Sequence, residues 1–359
     1  MEPGTARDEA LTGKRPAAVK RTGKRTTIYD LAELAGTSPS AVSSVLNGTW
    51  RERRIGPALA ERIKRLADEQ GYAINLQARG LSRERSNLIG MIVPKYDNRY
   101  FGSIVERFEA MARERGLFPI ITCTQRDAEL EIQAARAMIS HQVDYLVATG
   151  ATNPDRITGL CARAGVRSLN LDLPGKLAPS VISDNRGGAR ELTREILEAS
   201  RDRRAPGEPL LFVGGRPADH NTIERIKGFR DAHAESGIAV DERRILTRGY
   251  AADKSRDALE AYVADGGSSP NAIFVSSTIT LEGVVPWIEA NPAYAQARPC
   301  IGCFDWDPMV RALDRNILML RQDVPKMLQA LFDIIDGKSR ATGIVEIPTQ
   351  LVAEDALPG

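Results

Sequence analysis

The side chains that could carry out chemistry in this chain are few and scattered. Cys300 and Cys303 have the CxxC spacing of redox and zinc motifs, but residues three apart on a strand face opposite sides of the sheet. No second CxxC or histidine pair accompanies them, and His141, His220 and His233 stand isolated in sequence. We therefore interpret the two cysteines as structural, and we expect no metal site and no catalytic centre.

Phosphate-binding loops of the usual spacing are also missing from the sequence. Gly214-Gly215 follows an apolar run, but neither the G-x-G-x-x-G nor the P-loop pattern is present. We therefore expect no nucleotide cofactor and no enzyme activity.

The cysteine content and the lengths of the apolar runs indicate the cellular compartment of the protein. The four cysteines lack the regular spacing of a disulfide framework, which suits a reducing environment. The apolar runs are far shorter than the roughly 20 residues needed to cross a bilayer, and the N-terminal residues lack an apolar signal segment. These features predict a cytoplasmic protein.

Basic residues gather at one end of the chain. The 359 residues are nearly neutral as a whole, with 49 Lys+Arg against 47 Asp+Glu. Residues 1–85 hold 16 Lys/Arg and 10 Asp/Glu, whereas residues 86–359 hold 33 and 37. Positive charge concentrated in one segment is typical of a surface that meets phosphate. Charge alone leaves two interpretations open, a solvated basic tail and a nucleic-acid-binding segment.

The elements that position this charge are predicted to be short helices. Residues 1–25 have no apolar periodicity and indicate a disordered basic arm. Helical apolar spacing then begins in TTIYDLAELAG, a second helix opens at Ser38, and a third starts at about Pro57. Three helices within about 45 residues, with a glycine turn after the first, indicate a helix-turn-helix unit.

The remaining chain has the pattern of an α/β protein. From Asn87 onward, short apolar runs such as LIGMIV, DYLVA and PLLFVGG alternate with amphipathic stretches of helical length. This alternation predicts doubly wound parallel sheets. Roughly 270 residues are too many for one such sheet, so we expect two α/β lobes.

Three motifs now carry a family resemblance. TIYDLAELAGTSPSAVSSVLNG, then Gly71-Tyr72, then NLQARGL resemble the DNA-binding headpiece and hinge of the lac repressor family of bacterial transcription regulators. The resemblance covers about residues 26–350. The segments TWRERRI, DNRYF and VSSTITLEGV resemble the fructose and sucrose repressor branch. The implied fold is a small all-α helix-turn-helix headpiece plus a two-lobed α/β core like that of periplasmic binding proteins.

The resemblance implies a domain order. A basic arm at 1–25 precedes the headpiece at 26–73, a hinge helix at 74–85, and an effector-binding and dimerisation core at 86–359. Within the core, the first lobe is expected at about 86–183 plus 322–346. The second lobe is expected at about 184–321 plus 347–359.

The headpiece is expected to contact DNA through its second helix and the loop after it. A recognition helix can enter the major groove, where each base pair displays its own donor and acceptor pattern. By resemblance, Pro39, Ser40 and Ser44 lie near base edges, and small hydroxyls read bases weakly. Phosphate contacts are expected from Thr27, Tyr29, Ser38, Ser43, Asn47, Arg51, Arg53 and Arg54.

The segment 75–83 resembles the family's hinge helix, which folds when two copies meet in the minor groove. Leu81 matches the leucine wedge that kinks the duplex, Ala78 would pack against its symmetry mate, and Asn75 opens the segment. The family usually has proline before this asparagine, whereas Ile74 stands here.

A small-molecule site is expected in the cleft between the lobes, at the carboxyl ends of the strands. By resemblance, Asp172 and Asp305 would accept hydrogen bonds from sugar hydroxyls, Arg225 would donate as a fork, and Ser277 would lie beside Asp305. Aromatic side chains for the apolar wall are expected from Tyr96, Tyr100, Phe101 and Trp306. Phosphate-binding relatives carry arginine after the first aspartate, whereas Leu173 stands here, so a plain sugar and a sugar phosphate both stay open.

The sequence thus predicts a cytoplasmic, homodimeric, allosteric DNA-binding regulator, a repressor that binds a near-palindromic double-stranded operator and is controlled by a sugar-like effector. The competing interpretations are a periplasmic sugar-binding protein and an α/β enzyme acting on a sugar phosphate. Induction and corepression are not distinguished, nor are the operator sequence and the effector's identity.

Overall fold

The computed structural model describes residues 26–72, 85–314 and 316–352, with Arg311 and Leu313 described by their backbone alone. The chain divides into two compact units, one within the first 82 residues and one after them. Among the described residues, no helix is both long and apolar enough to cross a membrane.

The first unit is a three-helix bundle. Its helices are α1 Ile28–Ala35, α2 Pro39–Leu46 and α3 Pro57–Glu69. Thr27 and Asp30 form a capping box at the start of α1, and Gly36 ends that helix in the left-handed conformation. The helices enclose a small apolar core that includes Leu31, Val42, Val45 and Ile63. The predicted helix-turn-helix fold is confirmed.

The second unit contains two lobes, each built on one sheet. The first lobe comprises β1 Leu88–Val93, α4 Arg99–Glu114, β2 Phe118–Cys123, α5 Ala128–Ser140, β3 Tyr145–Thr149, α6 Pro154–Arg163, β4 Arg167–Leu171, β5 Ser180–Ser183, and, from the end of the chain, α13 Val324–Ile335 and β11 Ile344–Ile347. Its strand order is β11-β5-β4-β3-β1-β2, and all neighbours are parallel.

The second lobe repeats this architecture. It comprises α7 Asn185–Ala199, β6 Leu211–Val213, α8 His220–Glu235, β7 Ile245–Leu246, α9 Ala252–Ala264, β8 Ala272–Val275, α10 Thr278–Ala290, α11 Pro292–Ala297, β9 Cys300–Phe304, α12 Pro308–Leu313, β10 Leu318–Arg321 and β12 Gln350–Leu351. Its order is β12-β10-β9-β8-β6-β7, and only the pairing of β12 with β10 is antiparallel.

Helices cover both faces of each sheet. Along β1, Met91 and Val93 pack into the cluster formed with α4 and α13, whereas Ile92 packs into the cluster formed with α5. Consecutive side chains of a strand therefore pack against different helix layers. Because both faces of the strand are buried, its sequence is an unbroken apolar run. The described chain passes between the lobes after β5, after β10 and after β11.

Close packing of α7 against α8 fixes the position of one functional helix. A Cβ atom on Gly228 of α8 would overlap the backbone carbonyl of Arg186 in α7. Glycine therefore permits the two helix backbones to approach closely. This contact holds α8, and with it Arg225 one turn earlier, against the second sheet.

Several elements were not predicted. The helix α10 was missed because TITLEGVVPWIEA is apolar on several faces and contains Pro286, so the sequence lacks a helical stripe. The strands β5, β7, β11 and β12, each of two to four residues, were not predicted either. Short apolar segments carry little periodicity, and their pairing depends on the neighbouring strands.

Candidate effector cavity and DNA-reading surface

A narrow cavity of about 40 Å³ lies between the two lobes at the carboxyl ends of their strands. In α/β folds, ligands bind preferentially in crevices at the carboxyl ends of parallel strands. We call it the cleft cavity. Its lining residues are Asn98, Tyr100, Phe101, Arg126, Asp172, Leu173, Asp219, Asn221, Arg225, Tyr250, Ser277, Ile279, Asp305 and Gln322.

Asp172 follows β4 directly and is held in the left-handed region at φ 70°. Its Oδ1 accepts hydrogen bonds from the Tyr100 hydroxyl at 3.1 Å and from Asn221 Nδ2 at 3.2 Å. Burial raises the pKa of Asp172, although Arg126 and Arg225 oppose the rise. Because Asn221 belongs to the second lobe, this carboxylate joins the two lobes.

Arg225 is anchored by the second lobe itself. Its Nε donates to Asn185 Oδ1 at 2.9 Å, its Nη1 donates to the Ser276 carbonyl, and its guanidinium lies 3.7 Å from the Phe304 ring centroid. Two donors of the expected fork are therefore used within the protein. Arg225 therefore contributes mainly a fixed positive charge beside the carboxylates of the cavity.

Asp305 follows β9 directly and is only 6% exposed. Gln322 Nε2 donates to its carboxylate. Burial raises the pKa of Asp305 to about 6, against the opposing charge of Arg225. Ser277 lies nearby as the N-cap of α10, and its hydroxyl bonds that of Thr280 at 2.9 Å.

The aromatic wall differs from the expected one. Tyr100 and Phe101 line the cleft cavity, but Tyr96 is 54% exposed and lines a neighbouring crevice. Trp306, although it is next to Asp305 in the chain, packs against the apolar core of the second lobe. Tyr250 supplies the aromatic side chain of the second lobe instead.

The sequence did not predict several further residues of the cavity. Arg126, Asn98, Tyr250 and Gln322 each lie in the loop or at the position that follows a strand. Their place after a strand is the feature of the sequence that could have indicated them, since the carboxyl ends of parallel strands converge on one crevice. Asn221, at the start of α8, has no such signal and is revealed only by its bond to Asp172.

The recognition helix α2 uses most of its hydroxyls locally. The Ser38 hydroxyl caps the helix by accepting from Ala41 N at 3.2 Å, and Ser44 donates to the Ser40 carbonyl at 2.9 Å. Asn47 Nδ2 donates to the Ser43 hydroxyl at 3.1 Å. Pro39 occupies the first turn. Ser40 is exposed, and its hydroxyl makes none of these bonds.

Basic and aromatic side chains surround this helix on the same unit. The exposed residues Arg51, Arg53 and Arg54 lie in the turn between α2 and α3, with the Arg51 guanidinium 5.0 Å from the Trp50 ring centroid. Tyr29 is 71% exposed on α1, and Thr27 is its exposed N-cap. The expected hinge residues Asn75, Ala78 and Leu81, like the arm at 1–25, lie outside the described residues.

Cys300, Cys303 and His233 belong to the structural part of the second lobe. Cys300 packs with the cluster under α7 and α8, whereas Cys303 is buried in the cluster on the other face, as its spacing predicted. His233 Nε2 accepts from Leu210 N at 3.1 Å, and burial lowers the pKa of His233 to about 4. Over residues 26–72, 85–314 and 316–352, no group of three His, Cys, Asp or Glu could hold a metal ion.

Fold and cavity define the class of protein: a two-lobed ligand-binding core in a chain that also has a helix-turn-helix unit. Residues 89–317 match the family model described as a periplasmic binding protein domain. The chain is 66% identical to the ribitol operon repressor of Klebsiella aerogenes over 195 residues, which cover 54% of this chain and 72% of that protein. It is 28% identical to the sucrose operon repressor of Klebsiella pneumoniae over 329 residues, 88% of this chain and 94% of that one.

A solved structure agrees in fold. The lac repressor dimer bound to operator and the anti-inducer ONPF matches with a TM-score of 0.73 at 19% identity, over 92% of this chain and 98% of that one. This chain belongs to the lac repressor family of transcription regulators, near its sugar repressor branch. It is therefore a regulator and not an enzyme.

Proposed function

We propose that this protein is a cytoplasmic transcriptional repressor whose binding to operator DNA is controlled by a neutral polyhydroxy compound in the cleft cavity. The observation that carries the proposal is the convergence of Asp172, Arg225 and Asp305 on one cavity between the lobes. Carboxylates that accept and amides that donate suit the paired hydroxyl groups of a sugar or polyol.

Charge balance favours a neutral ligand. The carboxylates at the cavity are Asp172, Asp219 and Asp305. Arg126 and Arg225 line the same cavity, and Arg216 Nε donates to Asp219 at 2.8 Å. The charges therefore balance, and a phosphorylated ligand would bury an excess negative charge.

The similarity to the ribitol operon repressor supports this class, because ribitol is an uncharged pentitol. We therefore put pentitols first among the probes. Pentoses and fructose follow, and sugar phosphates serve as the charged comparison.

Contacts across the cleft offer a route for control. Asp172 of the first lobe bonds Asn221 of the second, and Arg99 of the first lobe pairs with Asp307 of the second at 2.9 Å. A ligand that competes for Asp172 changes the balance between lobe arrangements, to the extent that its affinity differs between them. In a homodimer, that change would reach the hinge helices at 74–85 and alter operator binding.

The proposed DNA contacts remain those of the headpiece and hinge. We assign base-edge contacts to α2 and phosphate contacts to the Arg51–Arg54 turn, and we assign the minor-groove wedge to Leu81. Two headpieces of a homodimer would meet two half-sites, since two-fold protein symmetry requires a near-palindromic operator.

A thermal-shift screen tests the ligand class directly. Purified full-length protein is heated with ribitol, D-arabinitol, xylitol, D-ribose, D-fructose and fructose 1-phosphate. We expect a concentration-dependent rise in melting temperature with at least one neutral compound and none with fructose 1-phosphate. Stabilisation by the phosphate alone would overturn the assignment of a neutral effector.

A further inference from the structure

Asn185 lies where the chain first passes from one lobe to the other. It is the first residue of α7, its side chain is only 1% exposed, and it is not among the residues that line the cleft cavity. Its Oδ1 accepts from Arg225 Nε at 2.9 Å, and its Nδ2 donates to the Ser183 carbonyl at 2.8 Å and to Asn221 Oδ1 at 3.1 Å. The amide oxygen and the amide nitrogen are therefore both engaged within the protein.

Through these bonds Asn185 holds two residues of the cavity wall. Arg225 and Asn221 both line the cleft cavity, and both belong to α8. Asn221 in turn donates from its Nδ2 to Asp172 of the first lobe at 3.2 Å. The Asn221 amide is thus oriented from both sides, because its oxygen faces Asn185 and its nitrogen faces the carboxylate. A hydrogen bond across the cleft therefore depends on a donor that stands outside the cavity.

The crossover segments between the lobes are bonded to one another next to Asn185. Asp184 N donates to the Ile347 carbonyl at 2.8 Å, which joins the first crossover to the third. The Ser183 hydroxyl donates to Gln322 Oε1 at 2.7 Å, which joins the first crossover to the second. Hinges between lobes are a few residues in loops or at the ends of elements. A change in the angle between the lobes therefore changes the backbone that carries Asn185.

We propose that Asn185 is a positioning residue that couples the cleft cavity to the angle between the lobes. Asn185 does not touch the ligand, and it sets the positions of Arg225 and Asn221 for each arrangement of the crossovers. The affinity of the cavity then differs between lobe arrangements, which is the condition for allosteric control. This inference rests on the proposed function, because it takes the cavity to be the effector site.

Aspartate at this position separates the acceptor of Asn185 from its donors. Asn185→Asp has nearly the same shape and keeps an oxygen for Arg225, but an ionised carboxylate has no hydrogen to donate. The Asn221 amide oxygen would then face another oxygen, and its nitrogen would be drawn toward two carboxylates at once. The substitution therefore weakens the bond from Asn221 to Asp172 without removing either residue.

The first test measures ligand affinity and coupling separately in full-length wild type and Asn185→Asp. Isothermal titration gives the affinity for ribitol, D-arabinitol and xylitol, and fluorescence anisotropy gives operator affinity with and without the pentitol that binds best. We expect Asn185→Asp to bind this pentitol within about fivefold of wild type, because Arg225 keeps its acceptor. The effect of the pentitol on operator affinity should fall from about tenfold to about twofold or less.

Two further variants accompany this test. Asn185→Ala also leaves Arg225 Nε without its acceptor, so it should lose the coupling and bind the pentitol about tenfold more weakly. Asn271→Ala is the matched control, because Asn271 precedes β8 at the end of the second sheet opposite the cavity and its Nδ2 donates to Glu208 at 3.1 Å. This control should retain the affinity and the coupling of wild type.

A double-mutant cycle tests the inference without any ligand. The proteins are wild type, Asn185→Asp, Asn221→Ala and the double variant, and the measured quantity is operator affinity by anisotropy. We expect Asn185→Asp to change operator affinity at least about threefold, because it weakens a bond that joins the lobes. The same substitution should change operator affinity less than about 1.5-fold when residue 221 is already alanine.

The outcomes separate the inference from the proposed function. Coupling in Asn185→Asp equal to that of wild type would overturn the inference, and so would a cycle in which the two substitutions act additively. Loss of coupling in Asn271→Ala would overturn it as well, because any lost hydrogen bond of the lobe would then suffice. If wild type binds none of the probes, the proposed effector class fails, while the cycle still decides whether Asn185 acts through Asn221.

Discussion

Replacing Asp305 by asparagine should stabilise the ligand-free protein at neutral pH and abolish its response to the effector. Burial raises the pKa of Asp305 from 3.8 to about 6. A carboxyl whose folded pKa is raised contributes stability that is present at low pH and lost as pH rises through the folded value. Each pKa unit corresponds to about 1.4 kcal/mol, so the ionised carboxylate costs about 3 kcal/mol above pH 6.

Asparagine removes this cost and keeps an oxygen that can accept from Gln322. The difference in unfolding free energy between Asp305→Asn and wild type should therefore be small near pH 4 and approach about 3 kcal/mol at pH 8 as an upper limit. For the melting temperature this corresponds to roughly 6 °C or more. Thermal and urea unfolding of both proteins between pH 4.5 and 8 measure this difference in unfolding free energy.

Asp257→Asn is the control, because Asp257 is an exposed aspartate on α9 of the same lobe. This exposed substitution should change the free energy of unfolding by no more than about 0.5 kcal/mol. A stability difference for Asp305→Asn that is as large at pH 4.5 as at pH 8, or a loss of stability at pH 8, would refute the reasoning. So would a ligand-induced thermal shift in Asp305→Asn equal to that of wild type.

Three further predictions concern the rest of the molecule. Burial lowers the pKa of His233 to about 4, so the free energy of unfolding of wild type should fall as pH drops from about 6.5 toward 4. In unfolding titrations of His233→Gln, this loss should be smaller by about 3 kcal/mol. An equal loss in the variant and in wild type would contradict the prediction. Leu81→Ala should weaken operator binding roughly tenfold in a gel-shift titration and leave ligand binding intact; equal operator affinity would refute the wedge. Neutralising Arg51, Arg53 and Arg54 with glutamine should reduce the slope of log K against log salt by up to about 0.9 per lost phosphate contact; an unchanged slope would exclude phosphate contacts from this turn.

Much of the fold follows from local patterns. The helices α1 to α3 are visible because each has an apolar stripe and a recognisable cap or stop, such as Thr27 and Gly36. The long strands are visible because a sheet covered on both faces requires unbroken apolar runs, as in LIGMIV. The helix α10 has neither signal, since its residues are apolar on several faces and Pro286 interrupts it.

The candidate site was predictable only in part. Asp172 and Asp305 each follow a strand directly, and the structure brings them to one cavity with Arg225. Tyr96 and Trp306 lie in equivalent loops, yet neither lines that cavity. Their direction depends on how each loop turns, and that information resides in tertiary packing. Arg126 and Asn221 contact residues of the other lobe, which the local sequence does not reveal.

The central claim is that a neutral polyhydroxy compound in the cleft cavity controls operator binding. The direct measurement is the affinity of the full-length protein for its operator duplex, determined by fluorescence anisotropy with and without the pentitol that gives the largest thermal shift. We predict that the pentitol changes operator affinity at least about tenfold in wild type and leaves Asp305→Asn unchanged, a coupling within the usual allosteric range. Operator affinity that is the same with and without every neutral probe, or an Asp305→Asn protein that responds as wild type does, would contradict the account.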